Sequence, residues 1–349
     1  MDMTFRWYGE NDPVTLDHIR QIPQMSGVVT AIYDVPVGQV WPLERILALK
    51  KKVNDKGLKM EVIESVPVHE DIKMGAPSRD KLIDNYCQTI RNLGKAGVKV
   101  ICYNFMPVFD WLRSDLKHLN ADGSTSLAYD QETVNAMDPA KGELSLPGWD
   151  ESYTKEQLQG LLNAYKSIDE EQLMRNLIYF LKKIIPVCEE CDVKMAIHPD
   201  DPPWSMFGLP RIITGEKNID RMFSEVDSVY NGLTLCTGSL GCDPKNDIVK
   251  FAAKYAKMGR IHFLHARNIR FTGDGAFHES PHPTACGSLD MYGILKALSD
   301  NGFDGYTRPD HGRNIWGEDR RPGYGLYDRA LGASYINGLW EAIKKGEKK

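Results

Sequence analysis

Short apolar runs alternate along the chain with longer stretches whose apolar positions recur every three to four residues. Eight short runs read as strands: 4–9 (TFRWYG), 27–33 (GVVTAIY), 58–65 (LKMEVIES), 98–105 (VKVICYNF), 193–199 (VKMAIHP), 232–238 (GLTLCTG), 260–268 (RIHFLHARN) and 305–312 (GYTRPDHG). Most are nearly continuous in apolar residues, as parallel strands buried on both faces are. Helical patterns lie between them. The stretch 42–57 opens on Pro42 and stops at Gly57, and 78–97 runs from Ser78 to Gly97, the usual punctuation of a helix. The stretch 169–191 begins with acidic residues, which suit a helix N-terminus. Patterns at 246–259, 288–302 and 327–346, with two weaker ones at 15–22 and 218–226, complete the series.

Strand and helix in repeated alternation predict an α/β fold, a (β/α)8 TIM barrel, with residues 1–349 as a single catalytic domain. A doubly wound open sheet is the other α/β solution, but no GxGxxG follows a strand. The alternation breaks at 106–168, which reads as a long insertion after strand four. Insertions there shape an active-site mouth or a subunit contact.

Composition narrows the function classes. Hydrophobic residues make up 42% and charged residues 26% of the chain, with a net charge of −5. The only basic cluster is the tail Lys344–Lys349, which reads as a solvated helix end, so nucleic acid is not an expected partner. No stretch approaches 18 apolar residues, so no membrane span is expected, and residues 1–30 lack the pattern of a signal peptide. Seven cysteines, an odd number, give no disulfide framework and point to a reducing cytoplasm.

A barrel of this kind carries its chemistry at the C-terminal strand tips. The early tips offer Arg6, Trp7, Tyr8, Glu64, His69, Tyr103 and Asn104. The late ones are richer. His198, Cys236, His265 and Asp310 fall at four successive tips, and neighbouring strands lie about 4.8 Å apart, so these side chains can converge. Two imidazoles, a thiolate and a carboxylate suit a divalent transition metal. Each has a plainer reading: His198 as a hydrogen-bonded strand-end histidine, Cys236 as a small buried side chain, Asp310 as a helix N-cap. The coincidence of four ligand types on successive tips favours the metal. His262 then reads as core-facing or supporting. Cys188 and Cys191, in CEEC, have zinc-like spacing but no second pair nearby, and read as packed thiols. His278 and His282 sit in a loop over the site or simply in solvent.

Arg267, Arg270, Arg308 and Arg313 cluster near the same tips. Arginine's planar fork matches carboxylate oxygens, so a small sugar acid is the expected substrate; ion pairing with Asp274, Glu279 or Glu318 is the plainer account of some of them. Arg6, Trp7, His69, Asp200, Arg267, Arg308 and Arg313 are the candidate substrate contacts. Asp200 and Asp201 follow His198, and Pro199, Pro202 and Pro203 restrict that loop. Pro322, Gly323 and Gly325 form a turn that presents Tyr324 before the last helix, either over the mouth or as a simple connection.

The segments FRWYG, RQIP, IESVPVHE, AIHPDDPPW, CTGSLG, HARN, GSLDM, RPDHGR and PGYGLYDRA together resemble the mannonate dehydratase family, from Arg6 to the last helix. The resemblance implies a xylose-isomerase-like barrel that dehydrates D-mannonate to 2-keto-3-deoxy-D-gluconate in hexuronate (glucuronate) breakdown, with Mn²⁺ or Fe²⁺. It implies His198, Cys236, His265 and Asp310 as ligands, and Asp310, His311 and Tyr324 at the reacting centre; the chemistry of the dehydration then suggests His311 or Asp310 as base and Tyr324 as acid. It also implies a homodimer. A sugar or sugar-acid isomerase or epimerase on the same barrel is the rival. A nuclease is disfavoured by the charge, and a non-catalytic sugar-acid binder would not need the four ligand types.

Overall fold

Eight of the apolar runs pair in parallel and close on themselves. The structure, a computed structural model, describes residues 1–137, 139 and 154–346. Part of the 106–168 interval and the end of the Lys344–Lys349 tail therefore lie outside the described residues. The strands are β1 (Asp2–Arg6), β2 (Gly27–Thr30), β3 (Lys59–Glu64), β4 (Val100–Tyr103), β5 (Asp115–Leu119), β6 (Thr125–Asp130), β7 (Lys194–Ile197), β8 (Asn231–Cys236), β9 (Ile261–Ala266), β10 (Asn268–Gly273), β11 (Ala276–Ser280) and β12 (Tyr306–Pro309). The closed barrel runs β1-β12-β9-β8-β7-β4-β3-β2 and back to β1. The closing pairs are Asp2 with Tyr306 and Phe5 with Val28. An open doubly wound sheet has no such closure.

All eight predicted strands are present, each shorter than the run that announced it. The polar tips continue past the last ladder pair, and it is these overhangs that form the mouth. The helices follow their punctuation: Leu43–Asn54 after Pro42, Arg79–Lys95 after Ser78, Glu170–Cys191 capped by the Asp169 side chain, and Tyr327–Gly346 at the end. Their apolar faces pack on the outside of the barrel in one continuous core. Cys188 and Cys191 occupy the last turn of the Glu170–Cys191 helix as free thiols. Among the described residues no helix is long and apolar enough to cross a membrane.

A second sheet, which the apolar pattern did not announce, has the order β10-β11-β6-β5. Its two hairpins leave the C-terminal ends of β9 and β4. They meet where His278 of β11 pairs antiparallel with Ala128 of β6, and Thr125 bridges to Asn314 beyond β12. The described part of 106–168 thus includes half of a sheet at the mouth, with helices Gln131–Ala136 and Lys155–Tyr165.

Candidate metal and catalytic site

Alternation along the strands decides what reaches the mouth. Val29, Val62, Val100, Cys102, Ala196 and Phe263 pack together inside the barrel. Successive side chains alternate between faces, so the next inward position after Val62 is Glu64, after Ala196 is His198, and after Phe263 is His265. Thr234 also points inward, its hydroxyl 3.2 Å from Cys102 Sγ, and Cys236 follows it. Tyr306 packs against the same interior cluster, and Arg308 and Asp310 follow it. Of these, Glu64, Cys102, His198, Arg308 and Asp310 line a cavity of about 600 Å³. Arg6, Tyr8, Tyr33, Asp110, Trp111, Arg321 and Tyr324 also line it, with Tyr324 and Arg321 packed against Tyr8.

His198, Cys236 and His265 each place a donor atom within 4.8 Å of the others. Asp310 joins them, with Oδ2 3.5 Å from Cys236 Sγ and Oδ1 3.9 Å from His265 Nδ1. A second triple, Glu64, Cys102 and His265, is equally compact. Protonation separates the two, because the thiolate and not the thiol is the ligand. Burial pushes the Cys102 thiol well above its ordinary value. Burial also works against a Cys236 thiolate, but Arg267 and His198 outweigh it and bring that thiol down to about 6. Burial likewise disfavours a charged His198, and the neighbouring Cys236 and Asp310 reverse this, raising it to about 9. Asp310 is held well below the carboxylate range; Arg308, His311, His265 and Arg267 overcome the cost of burial.

The set fits a divalent ion. With the donor atoms within 4.8 Å of one another, small side-chain shifts bring them to one ion at bonds of about 2.0–2.3 Å. Two buried acceptors beside the donors, Asp310 Oδ1 and Glu64 Oε2, lack a hydrogen bond, although an Arg308 nitrogen lies 2.8 Å from Asp310 Oδ1. Buried oxygens left in that state are costly, and a cation would satisfy them.

Behind the donors lies a buried charge lattice. Asp201 accepts from Arg113 Nη1 and Nη2 at 2.8 and 3.1 Å and from Arg267 Nη2 at 2.7 Å. Glu279 of β11 accepts from Arg113 Nη2 at 2.8 Å and lies 2.7 Å from His311 Nδ1. His311 Nε2 is 3.0 Å from the Tyr324 hydroxyl. Trp111 packs against the His311 ring at 4.8 Å between centroids. Two glycines make the arrangement possible. A Cβ on Gly238 would fall 2.0 Å from Arg267 Nε, so the CTGSLG turn leaves the guanidinium its path. Gly323 has φ +80°, and a Cβ there would meet Leu127 at 2.8 Å and His311 at 3.2 Å; only glycine holds the turn that presents Tyr324.

Of the predicted residues, Arg6, His198, Arg267, Arg308, Asp310, His311 and Tyr324 line the cavity, and the fully buried Cys236 and His265 stand beside them. Four substrate candidates lie elsewhere. Trp7 follows Arg6 by one position, turns to the opposite face and lines an outer groove with Ala48 and Leu49. His69 caps the helix Glu70–Met74, its Nδ1 accepting from Asp71 N–H at 3.1 Å. Asp200 is buried and accepts from the N–H groups of Ile212 and Ile213 at 2.8 and 2.7 Å, which anchors the loop after His198. Arg313 pairs with Asp328 and Asp122 at 3.0 and 2.7 Å. His262 lies off the cavity, at the opposite end of β9, with Gly232 leaving room for its ring. Arg113, Trp111 and Arg321 escaped prediction because they carry no periodic signal; Tyr33 ends the predicted strand 27–33 and was overlooked at its tip. Glu279 was expected only as an ion-pair partner of the arginines.

A closed eight-stranded parallel barrel with its helices outside is the xylose-isomerase-like fold. A xylose isomerase-like TIM barrel protein from Mycobacterium smegmatis in complex with magnesium shares the fold at TM-score 0.55 and 14% identity, over 94% of this chain and 87% of that one. Within the class the assignment is specific: the D-mannonate dehydratase (UxuA) family profile matches residues 1–349, and the chain belongs to that family. It is 60% identical over 348 residues to a mannonate dehydratase from Streptococcus uberis, covering 100% of both chains. The crystal structure of mannonate dehydratase from Streptococcus suis serotype 2 superposes with TM-score 0.93 and 52% identity, over 100% of this chain and 96% of that one.

Proposed function

We infer that the protein is a hydro-lyase that dehydrates D-mannonate to 2-keto-3-deoxy-D-gluconate, in hexuronate breakdown. The observation that carries this is full-length membership of the family, in a chain whose cavity combines metal-type donors with arginines. The same fold hosts sugar isomerases and epimerases, but those likenesses are at 10–16% identity and speak for the fold alone.

The reaction removes the C2 proton, beside a carboxylate that is already negative, and expels the C3 hydroxyl. His198, Cys236, His265 and Asp310 would hold a divalent ion, Mn²⁺ or Fe²⁺. When bound, it supplies positive charge that offsets the enolate-like charge building up beside the carboxylate. Arg6 Nε and Nη1 and Arg308 Nη1 are buried without hydrogen-bond partners on residues that line the cavity. They are donors for the oxygens of the acid, and leaving them unmatched disfavours a substrate that lacks those oxygens. The Tyr324 hydroxyl protonates the departing C3 oxygen. His311 is the better base of the two candidates, because Asp310 is held so firmly ionised that it binds protons weakly. The proton taken from C2 and the proton given to C3 balance, and the Tyr324–His311 contact is the path between them.

The same reading takes residues 1–349 as one catalytic domain, with 106–168 inserted after the fourth barrel strand, in a cytoplasmic homodimer. Seven free cysteines agree with a reducing compartment. Protein stripped by a chelator should not turn over D-mannonate, and added Mn²⁺ should restore formation of the 2-keto-3-deoxy acid. No product with Mn²⁺ or Fe²⁺, in protein that is folded by circular dichroism, would refute the assignment.

A further inference from the structure

We propose that Glu279 is a positioning residue: its carboxylate fixes His311 with a proton on Nδ1, so that Nε2 is the nitrogen turned to the Tyr324 hydroxyl and left for proton exchange. Glu279 touches no reacting atom. It lies on β11, in the sheet over the mouth, and is 1% exposed.

The assignment follows from which atoms can share a hydrogen. His311 Nδ1 has two neighbours, Glu279 Oε1 at 2.7 Å and Arg267 Nη1 at 3.1 Å. If Nδ1 carried a lone pair, it would accept from Arg267 but would face the carboxylate oxygen, lone pair against lone pair, at 2.7 Å. An ionised carboxylate only accepts, so that separation requires a hydrogen on Nδ1. Arg267 gives up its 3.1 Å contact with Nδ1 as a hydrogen bond but keeps its carboxylate partners. Its Nη2 donates to Asp201 at 2.7 Å, and its Nη1 has Asp310 Oδ2 at 3.4 Å and Glu279 Oε1 at 3.5 Å. With Nδ1 donating to Glu279, Nε2 is the nitrogen that faces the Tyr324 oxygen, at 3.0 Å, and the one through which a proton can pass between them. The opposite tautomer would point an N–H at the phenol and leave His311 unable to receive a proton from that side.

Glu279 is itself braced. Arg113, fully buried, donates to it through Nε at 3.2 Å and Nη2 at 2.8 Å and clamps Asp201 with the same guanidinium. Arg113 enters from the segment after β4 and Glu279 from the hairpin after β9. The sheet over the mouth thus takes part in the chemistry, by supplying the carboxylate that orders a histidine at the tip of β12. Trp111 covers the other side of that ring. The logic is that of a base oriented by a third group, assembled from two hairpins that lie outside the barrel.

This rests on the Tyr324–His311 reading above, and the test separates the two. Protein labelled with ¹⁵N-histidine and loaded with Zn²⁺, a diamagnetic ion, is compared with a His311→Asn variant to pick out the His311 signals. The wild type should show a proton on Nδ1. In Glu279→Gln that pattern should be lost or mixed. With Mn²⁺ in place, kcat on D-mannonate should fall about 10–100-fold with KM within about twofold, and Glu279→Asp should recover part of it. A wild-type spectrum with Nδ1 bare overturns the proposal. So does Glu279→Gln with the tautomer unchanged, whatever its rate. If the Glu279 variants do not fold, the wild-type spectrum still decides. A wild type that fails to turn over D-mannonate would remove the assigned reaction but leave the tautomer result standing.

Discussion

Removing one oxygen atom from Tyr324 separates chemistry from architecture. In Tyr324→Phe the ring keeps its edge-to-face contacts with His311 and Tyr8, both at 4.9 Å between centroids. The backbone carbonyl still accepts from Arg329 Nη2 at 2.7 Å, and Gly323 still sets the turn. The fold loses one buried hydrogen bond, the 3.0 Å contact with His311 Nε2, worth about 1 kcal/mol. That leaves a stable protein folded. The chemical loss should be larger. A positioned acid or base contributes about 10²–10⁴-fold, equivalent to about 3–5 kcal/mol of barrier. Burial, helped by Tyr8, holds the Tyr324 hydroxyl well above its ordinary range despite Arg308, so it carries its proton at neutral pH and is available as an acid. Formation of the 2-keto-3-deoxy acid gives kcat and KM, and metal analysis of the same samples gives the ion content. The expectation is kcat down at least about 100-fold, with KM and metal content close to wild type. A Tyr324→Phe enzyme within about threefold of wild-type kcat would refute the acid role. A parallel loss of metal would show that the variant had disturbed the site instead.

Two further predictions bear on the donor set and on the charges behind it. Cys236→Ser exchanges a thiolate for a hydroxyl that stays protonated; since losing even a partner of a ligand costs about 10–100-fold in affinity, the metal content after dialysis should fall well below wild type, and unchanged stoichiometry would remove Cys236 from the ligands. Asp201 is buried, which opposes its charge, but Arg113 and Arg267 more than compensate and hold it below the carboxylate range. Its stabilising contribution is therefore full above the unfolded value of about 3.9 and is lost as pH falls further. The urea midpoint should drop between about pH 5 and about pH 3, and less steeply in Asp201→Asn; equal slopes would exclude this carboxylate as a source of acid sensitivity.

The barrel was readable in the sequence because its strands are buried on both faces and so appear as unbroken apolar runs, and because Pro42, Ser78 and Gly57 mark helix ends. The sheet over the mouth was not readable for the converse reason. β5 is DLKHL with every other residue exposed, and β11, AFHES, overlaps FHESPHP, which has the composition of a loop; each pairs with its hairpin neighbour, and only the β11–β6 pairing, remote in sequence, joins the two hairpins into one sheet. The site divides along the same line. Inward positions on barrel strands were found by counting to the tips, and the errors come from parity. Arg6 faces the cavity and Trp7 does not; Asp201 joins the charge lattice and Asp200 turns to the Ile212 and Ile213 amides. A list of tip residues gives the right neighbourhood, but the two-residue period decides which member of each adjacent pair enters it. Beyond the tips that rule has no purchase. Arg113 and Glu279 stand 166 positions apart in segments without helical or strand periodicity, and their meeting is a property of the tertiary fold. Those two residues brace the histidine that the sequence did identify. The metal-type donors stand at the tips of barrel strands, while Arg113 and Glu279, which brace His311, come from the hairpins laid over the barrel. Relatives that keep the barrel but lack those hairpins should retain the donor geometry and lose the ordered His311.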